Sequence, residues 1–222
     1  MGKSSYENRD FRSISNYIRK VKVRRGEFEV KDENSINEIL ESCEYGSLSL
    51  ISDGKPYVVA LNFVLFENSI FFHGAKEGRK IEAIKSNPNA SFLVVKPYSF
   101  IPSFFSDTMA ACPATQFFAS VLFEGTVSFI EDGNIKAKVL NALMKKFQNE
   151  DSFEKIAYEK AMYTKMLDKT AIIELKIETQ SCKIKVGQNL NEERKNKFLE
   201  KLKNRNSKID NETIKVMEIY KK

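Results

Sequence analysis

The sequence predicts a mainly β protein: a six-stranded antiparallel barrel with helices packed outside it. Three observations lead there. Short β-patterned runs are joined by tight turns, with Asp53-Gly54 the clearest hairpin signal. Helical periodicity does not alternate one-for-one with these runs, so no βαβ unit is predicted. Neither GxGxxG nor GxxxxGK[ST] occurs, which excludes the dinucleotide-binding and P-loop folds.

Taken in order, residues 1–30 are polar and carry an aperiodic Arg/Lys cluster at 19–25, predicting an arm that orders only by docking. Asp32 reads as an N-cap, followed at helical spacing by Ile36, Ile39, Leu40 and Cys43, with Gly46 ending the helix. Strands are predicted at 47–52 and 57–66, the second too continuously apolar to have one side in water. Glu67-Asn68-Ser69 turns the chain back into a strand at 70–73. A helix over 79–87 faces Ile81 and Ile84 inward and is closed by Pro88. A strand at 90–96 leads into a long aromatic loop, 97–116. The strand at 117–130 is long enough to bend across two sides of a barrel. Ile135, Val139, Ala142, Leu143 and Phe147 mark one face of a helix over 134–148, and 171–178 alternates as a final strand. From residue 191 two helical patterns follow, carried by Phe198, Leu199 and Leu202, then by Ile214, Met217 and Tyr220. Their stripes are narrow, so these helices must dock on the barrel or on a partner chain. The organisation expected is an arm (1–30), a barrel domain (31–186) and a helical extension (187–222).

With 222 residues, 42% hydrophobic and 30% charged, the chain can bury a core of its own. The longest uncharged run, 108–123, holds 16 residues including Pro113 and Gln116, short of the roughly 20 that a membrane helix needs. No apolar stretch follows the first charges, so no secretory leader is expected. The net charge is +6, and residues 188–222 hold ten Lys/Arg against six Asp/Glu. Those charges are interleaved in sign, as on solvated helix faces, which argues against a nucleic-acid-binding stripe. Three widely spaced cysteines and one histidine exclude a Cys/His zinc site and fit reduced thiols in the cytoplasm; no metal is expected.

The stretch with most chemistry is 71–80, Phe-Phe-His-Gly-Ala-Lys-Glu-Gly-Arg-Lys. A strand ends at the only histidine, His73, and a helix begins at Arg79 and Lys80 after Gly78. Unpaired N–H groups at a helix start, beside a glycine and two cations, suit an organic phosphate; a solvated helix start is the plainer alternative. His73 is either a hydrogen-bonded structural residue or a proton donor and acceptor beside a ligand. No Asp or Ser is placed to form a hydrolytic triad with it. The aromatic loop is either packed at an interface or a lid over a flat ligand, with Cys112 at its end.

The runs 41–46, 57–63, 72–80, Asn87-Pro88 and 111–121 together resemble the pyridoxamine 5′-phosphate oxidase-related superfamily, and within it the nitroimidazole-resistance (Nim) type flavoproteins. The resemblance spans about residues 23–185. It implies a split β-barrel that forms a homodimer, with FMN bound in a cleft at the subunit interface. Arg79 and Lys80 would hold the phosphate, with Gly78 and Phe72 beside them. Val58, Val59, Ala60, Leu61 and Asn62 would run along the isoalloxazine, Ser120 and Thr115 would add polar contacts, and His73 would lie near the flavin as the catalytic candidate. Oxidases of the vitamin carry a C-terminal signature with tryptophan, and this chain has no tryptophan. The function implied is therefore an FMN-dependent reductase of small electron-poor acceptors such as nitroaromatics, with a nicotinamide electron donor. A non-catalytic flavin store or sensor, and a cofactor-free partner-binding barrel, are the alternatives.

Overall fold

The computed structural model describes residues 18–106, 108–148 and 152–220. The first half of the expected arm, and the stretch on which the absence of a leader was argued, lie outside them. Eight strands form one sheet: β1 (Arg19–Lys20), β2 (Tyr45–Ser52), β3 (Lys55–Asn62), β4 (Val64–Phe66), β5 (Ser69–Ala75), β6 (Asn89–Ile101), β7 (Thr115–Ile130) and β8 (Thr170–Lys185). Six helices accompany them: α1 (Glu33–Ser42), α2 (Arg79–Ser86), α3 (Gly133–Phe147), α4 (Ala161–Lys169), α5 (Glu192–Arg205) and α6 (Lys208–Ile219). The sheet runs β3-β2-β6-β7-β8-β5-β4, antiparallel throughout, with β1 added parallel to β8. β3 and β4 are its two ends and do not pair, so the barrel is split rather than closed.

The strand count corrects the expected six. The apolar run at 57–66 is two strands, because Phe63 turns wholly into the core and its ring meets Phe92 edge-on at 5.1 Å. β3 before it pairs with β2, and β4 after it pairs with β5, at the opposite end of the sheet. β1 is two residues long, too short to carry a period. Asp53 (φ 55°) and Gly54 (φ 72°) both adopt the left-handed conformation that a two-residue hairpin requires, as do Glu67 and Asn68 between β4 and β5.

α1 begins where expected: the Asp32 carboxylate accepts from the Ser35 N–H at 2.8 Å, and Ile36, Ile39 and Leu40 are buried. α3 lays Val139 and Leu143 over Val64, Phe66, Phe71 and Ile172 in a second, smaller core. α4 has no counterpart in the sequence reading; of its residues only Leu167 is buried.

The aromatic loop is largely ordered structure. β6 continues to Ile101, with a register shift between Pro97 and Phe100, and a 3₁₀ turn follows at Ser103–Ser106. Tyr98, Ile101 and Phe105 are buried, and Phe105 meets Phe198 of α5 edge-on at 6.1 Å. Phe105 thus seats α5, and the burial of all three side chains places them away from any role as a lid. α5 and α6 contribute Phe198, Leu199, Leu202, Ile214 and Met217 to the main core. The extension thus docks on the barrel of its own chain.

Candidate functional site

The β2–β3 hairpin, the end of β5 and the start of α2 converge on one cationic cleft. α2 opens at Gly78, whose φ of 99° is open to glycine and strained for other residues. No side chain caps this first turn, so its leading N–H groups are left for water or a ligand. Arg79 is held over the hairpin: its Nε donates to Ser52 Oγ at 3.1 Å and its guanidinium lies 4.4 Å from the Tyr57 ring centroid. Arg79 remains an exposed residue.

Lys80 folds back across β5. A Cβ added at Gly74 would lie 2.7 Å from its Nζ, so the glycine is what lets the amine rest there. Lys80 and Arg79 form no ion pair among the described residues. Partial burial holds the Lys80 amine below its usual range. His73 is lowered too, first by loss of water around the ring and then by the charge of Lys80. Lys76, on the turn between β5 and α2, belongs to a second like-charged pair, with Lys136. Lys136, at the start of α3, is buried with its Nζ 3.4 Å from the Leu167 carbonyl, and is lowered by burial and then by Lys76. Arg79 and Lys80, without an ion pair among the described residues, are electrostatically unsatisfied, and an anion with several acceptor oxygens would relieve them, whereas Glu131 and Asp168 already favour the Lys136 cation.

The remaining expected residues fall into three groups. Val58, Ala60 and Asn62 point out from β3, Val58 being 58% exposed, while Val59 and Leu61 pack toward the core. Asn62 uses its amide NH₂ on the Glu44 carbonyl at 2.9 Å, leaving its carbonyl oxygen outward. Ser120 lies on β7 between Val95 and Lys183 in the ladder, three strands from β3 across the same sheet. Phe72 is fully buried and stacked on Phe92 at 6.1 Å, so only its backbone can reach the cleft. Thr115 stands apart. It opens β7 and bonds with Lys185 of β8, whereas the far end of β7, Ile130, pairs with Ile172, the partner of His73.

Sequence reasoning missed Ser52, Tyr57, Gly74 and Lys136. Gly74, next to the histidine, was visible as a position where another group comes close. Lys136 was not, because its neighbour Lys76 lies 60 residues away in the chain.

The donor set fits a phosphate-bearing group: uncapped helix N–H groups, a guanidinium, an amine and an imidazole, while the carboxylate of that first turn, Glu82, is paired with Lys85 at 3.5 Å. Residues 32–184 match the family model described as pyridoxamine 5′-phosphate oxidase. No curated protein matches the sequence. Among solved structures, the flavocytochrome Anf3 from Azotobacter vinelandii is 20% identical with a TM-score of 0.62, over 78% of this chain and 76% of that one. An FAD and haem binding protein from Mycobacterium smegmatis is 17% identical with a TM-score of 0.60, over 70% and 72%. A candidate 5-nitroimidazole antibiotic resistance protein from Bacteroides thetaiotaomicron is 20% identical with a TM-score of 0.56, over 70% and 86%. These likenesses share the split-barrel fold, and with the family match over most of the chain they place this protein in the pyridoxamine 5′-phosphate oxidase family.

Proposed function

We propose that this chain binds FMN in the cleft at the start of α2 and works as a flavin-dependent reductase of small electron-poor acceptors such as nitroaromatics. The observation that carries the reading is the convergence of Arg79, Lys80 and the uncapped first turn of α2 with no acidic partner. Arg79 and Lys80 would hold the phosphate. The outward face of β3, with Val58, Ala60 and the free carbonyl of Asn62, would lie along the ring. A bound flavin would supply hydride acceptance from a nicotinamide donor and reduction of the acceptor. His73, its pKa lowered by desolvation and then by Lys80, would accept a hydrogen bond or a proton at the edge of the site more readily than donate one.

A homodimer is part of the same reading. The outer face of β2, β3 and β6 leaves Tyr45, Val58, Leu93 and Val95 exposed on an antiparallel sheet, an apolar area suited to a second copy. Ser120 shares that face, so a cleft completed across the interface would draw on it.

The test is the absorption spectrum of the purified protein and the identity of any small molecule it releases on denaturation, followed by NADH oxidation with a nitroaromatic acceptor. A two-banded flavin spectrum, FMN in the supernatant and acceptor-dependent turnover support the proposal in full. Flavin without turnover leaves a store or sensor. A protein that takes up no added FMN ends the reading, and so does an Arg79→Ala/Lys80→Ala variant that keeps full FMN occupancy.

A further inference from the structure

A second cationic cavity lies where the N-terminal arm, the segment leading into β7 and the start of α5 meet. It encloses about 240 Å³, just below the roughly 300–1,000 Å³ of pockets for drug-sized ligands. Arg25, Lys185 and Arg194 line it, and no carboxylate does. Phe117, Leu190 and Phe198 supply apolar wall, and Thr115 a hydroxyl. We infer that this cavity is a binding site for a small organic oxyanion, a carboxylate or phosphate ester carried on a single ring or a short apolar body.

Three features separate it from an ordinary basic surface. Arg25 is neutralised by Glu27 at 2.6 Å, but neither Lys185 nor Arg194 has an acidic partner among the described residues. Among the described residues the polar contacts of their side chains are with hydroxyls: Lys185 with Thr115 Oγ1, and Arg194 Nη2 with Ser106 Oγ at 3.1 Å. Lys185 is also half-withdrawn from water, and its amine is lowered first by that burial and then by the charges of Lys183 and Arg25. Cations gathered around a hollow without a counter-charge gain from an anion entering it. The apolar wall gives that anion a body to bury, which sets an organic ion ahead of an inorganic one.

The site is independent of the cleft at α2 in the same chain, since Thr115 and the partners of His73 stand at opposite ends of the β7–β8 ladder. It is also largely this chain's own construction. Arg25, Lys185, Leu190, Arg194 and Phe198 all lie outside the residues, 32–184, that match the family.

Benzoate and phenyl phosphate, titrated calorimetrically into the full chain, test the inference and tell the two oxyanions apart. Saturable binding of at least one probe is expected, weakened about tenfold by Lys185→Gln and by Arg194→Gln and unchanged in Arg79→Ala/Lys80→Ala. Cys112 gives a second readout. It lines the cavity and is exposed, whereas Cys43 and Cys182 are buried, so iodoacetamide should label it first and a saturating probe should slow that labelling. If Lys185→Gln fails to fold, Arg194→Gln, on an exposed face of α5, carries the test. The inference is overturned if neither probe binds the wild-type chain, if binding survives both substitutions, or if it is lost with Arg79 and Lys80.

Discussion

Arg205 and Asp210 close the turn between α5 and α6: the guanidinium Nε donates to Oδ2 at 2.8 Å while Nη2 reaches Oδ1. Asp210 is fully buried, and it also accepts from the Ser99 hydroxyl of β6 at 2.5 Å and from the Ser207 N–H at 3.2 Å. Thr213 completes the network by accepting the Ser99 N–H at 2.9 Å. A single carboxylate therefore completes the capping box of α6 with Ser207, holds Arg205 in the last turn of α5 and ties both helices to the sheet. The Arg205 hydrogen bonds outweigh the opposing effect of burial and hold its pKa well below the usual carboxylate range.

Arg205→Met keeps the apolar stem and strands the carboxylate. The expected loss is about 2–3 kcal/mol, less than for a fully buried pair because Arg205 keeps part of its surface in water. The pH dependence follows from the depressed folded-state pKa. The stabilisation from Asp210 is present above the unfolded-state value near 4 and is lost as pH falls below it. Urea unfolding at pH 7 and pH 3 should show the wild-type chain losing more stability than Asp210→Asn across that interval. Equal losses would mean that the carboxylate's charge is not what holds the extension.

His73 is the sole histidine, so its ring resonances titrate without overlap. In the free protein its pKa should lie below the ordinary value of about 6.5, through desolvation and the charge of Lys80. A phosphate dianion bound beside Lys80 reverses the local charge, so added FMN should raise it. An NMR titration with and without FMN measures both. A value that FMN leaves untouched would separate His73 from the cofactor site.

Gly74→Ala puts a methyl group where the Lys80 amine now rests, 2.7 Å from it. The long side chain can swing away, so the fold should survive with little change in melting temperature, while FMN affinity falls about tenfold, or about 1.4 kcal/mol. Fluorescence quenching of added FMN reads the affinity. An unchanged dissociation constant would remove Lys80 from the set of anchors.

The legible parts of this fold were those in which the deciding chemistry is local. Asp53-Gly54 announces its turn because two successive left-handed residues need those side chains, and Ile81 and Ile84 announce α2 through spacing alone. The corner at Phe63 was hidden, since an apolar residue entering the core at a bend reads the same as one within a strand. α4 exposes Met162 and Met166 and so lacks a stripe. Tyr98, Ile101 and Phe105 looked like a loose aromatic loop because the helix that covers Phe105 begins nearly 90 residues later. The candidate site divides in the same way: Gly78-Arg79-Lys80 is contiguous and was readable, whereas Ser52 and Tyr57 reach Arg79 only through the topology.

Lys146 offers a test of the packing between α1 and α3. Its Nζ donates to the Leu40 carbonyl at 2.9 Å, at the end of α1, and lies 3.7 Å from the Phe63 ring centroid. Burial pulls the amine down to about 8, with Glu41 and Cys43 opposing only in part. In the unfolded chain it returns to about 10.4, so between those values the unfolded state binds more protons and stability rises with pH. Below pH 8 both states are charged and the cost of burying the cation is borne in full. Lys146→Met keeps the stem against Phe63 and removes the titration. Between pH 7.0 and pH 9.5 the wild-type urea midpoint should therefore gain on the variant's, whatever their order at neutral pH. Cys43 titrates in both chains, and losing the Lys146 charge that partly offsets its rise moves the variant's stability in the same relative direction. Parallel curves would show that the amine stays hydrated, and that its contact with the ring is not the desolvated one the geometry describes.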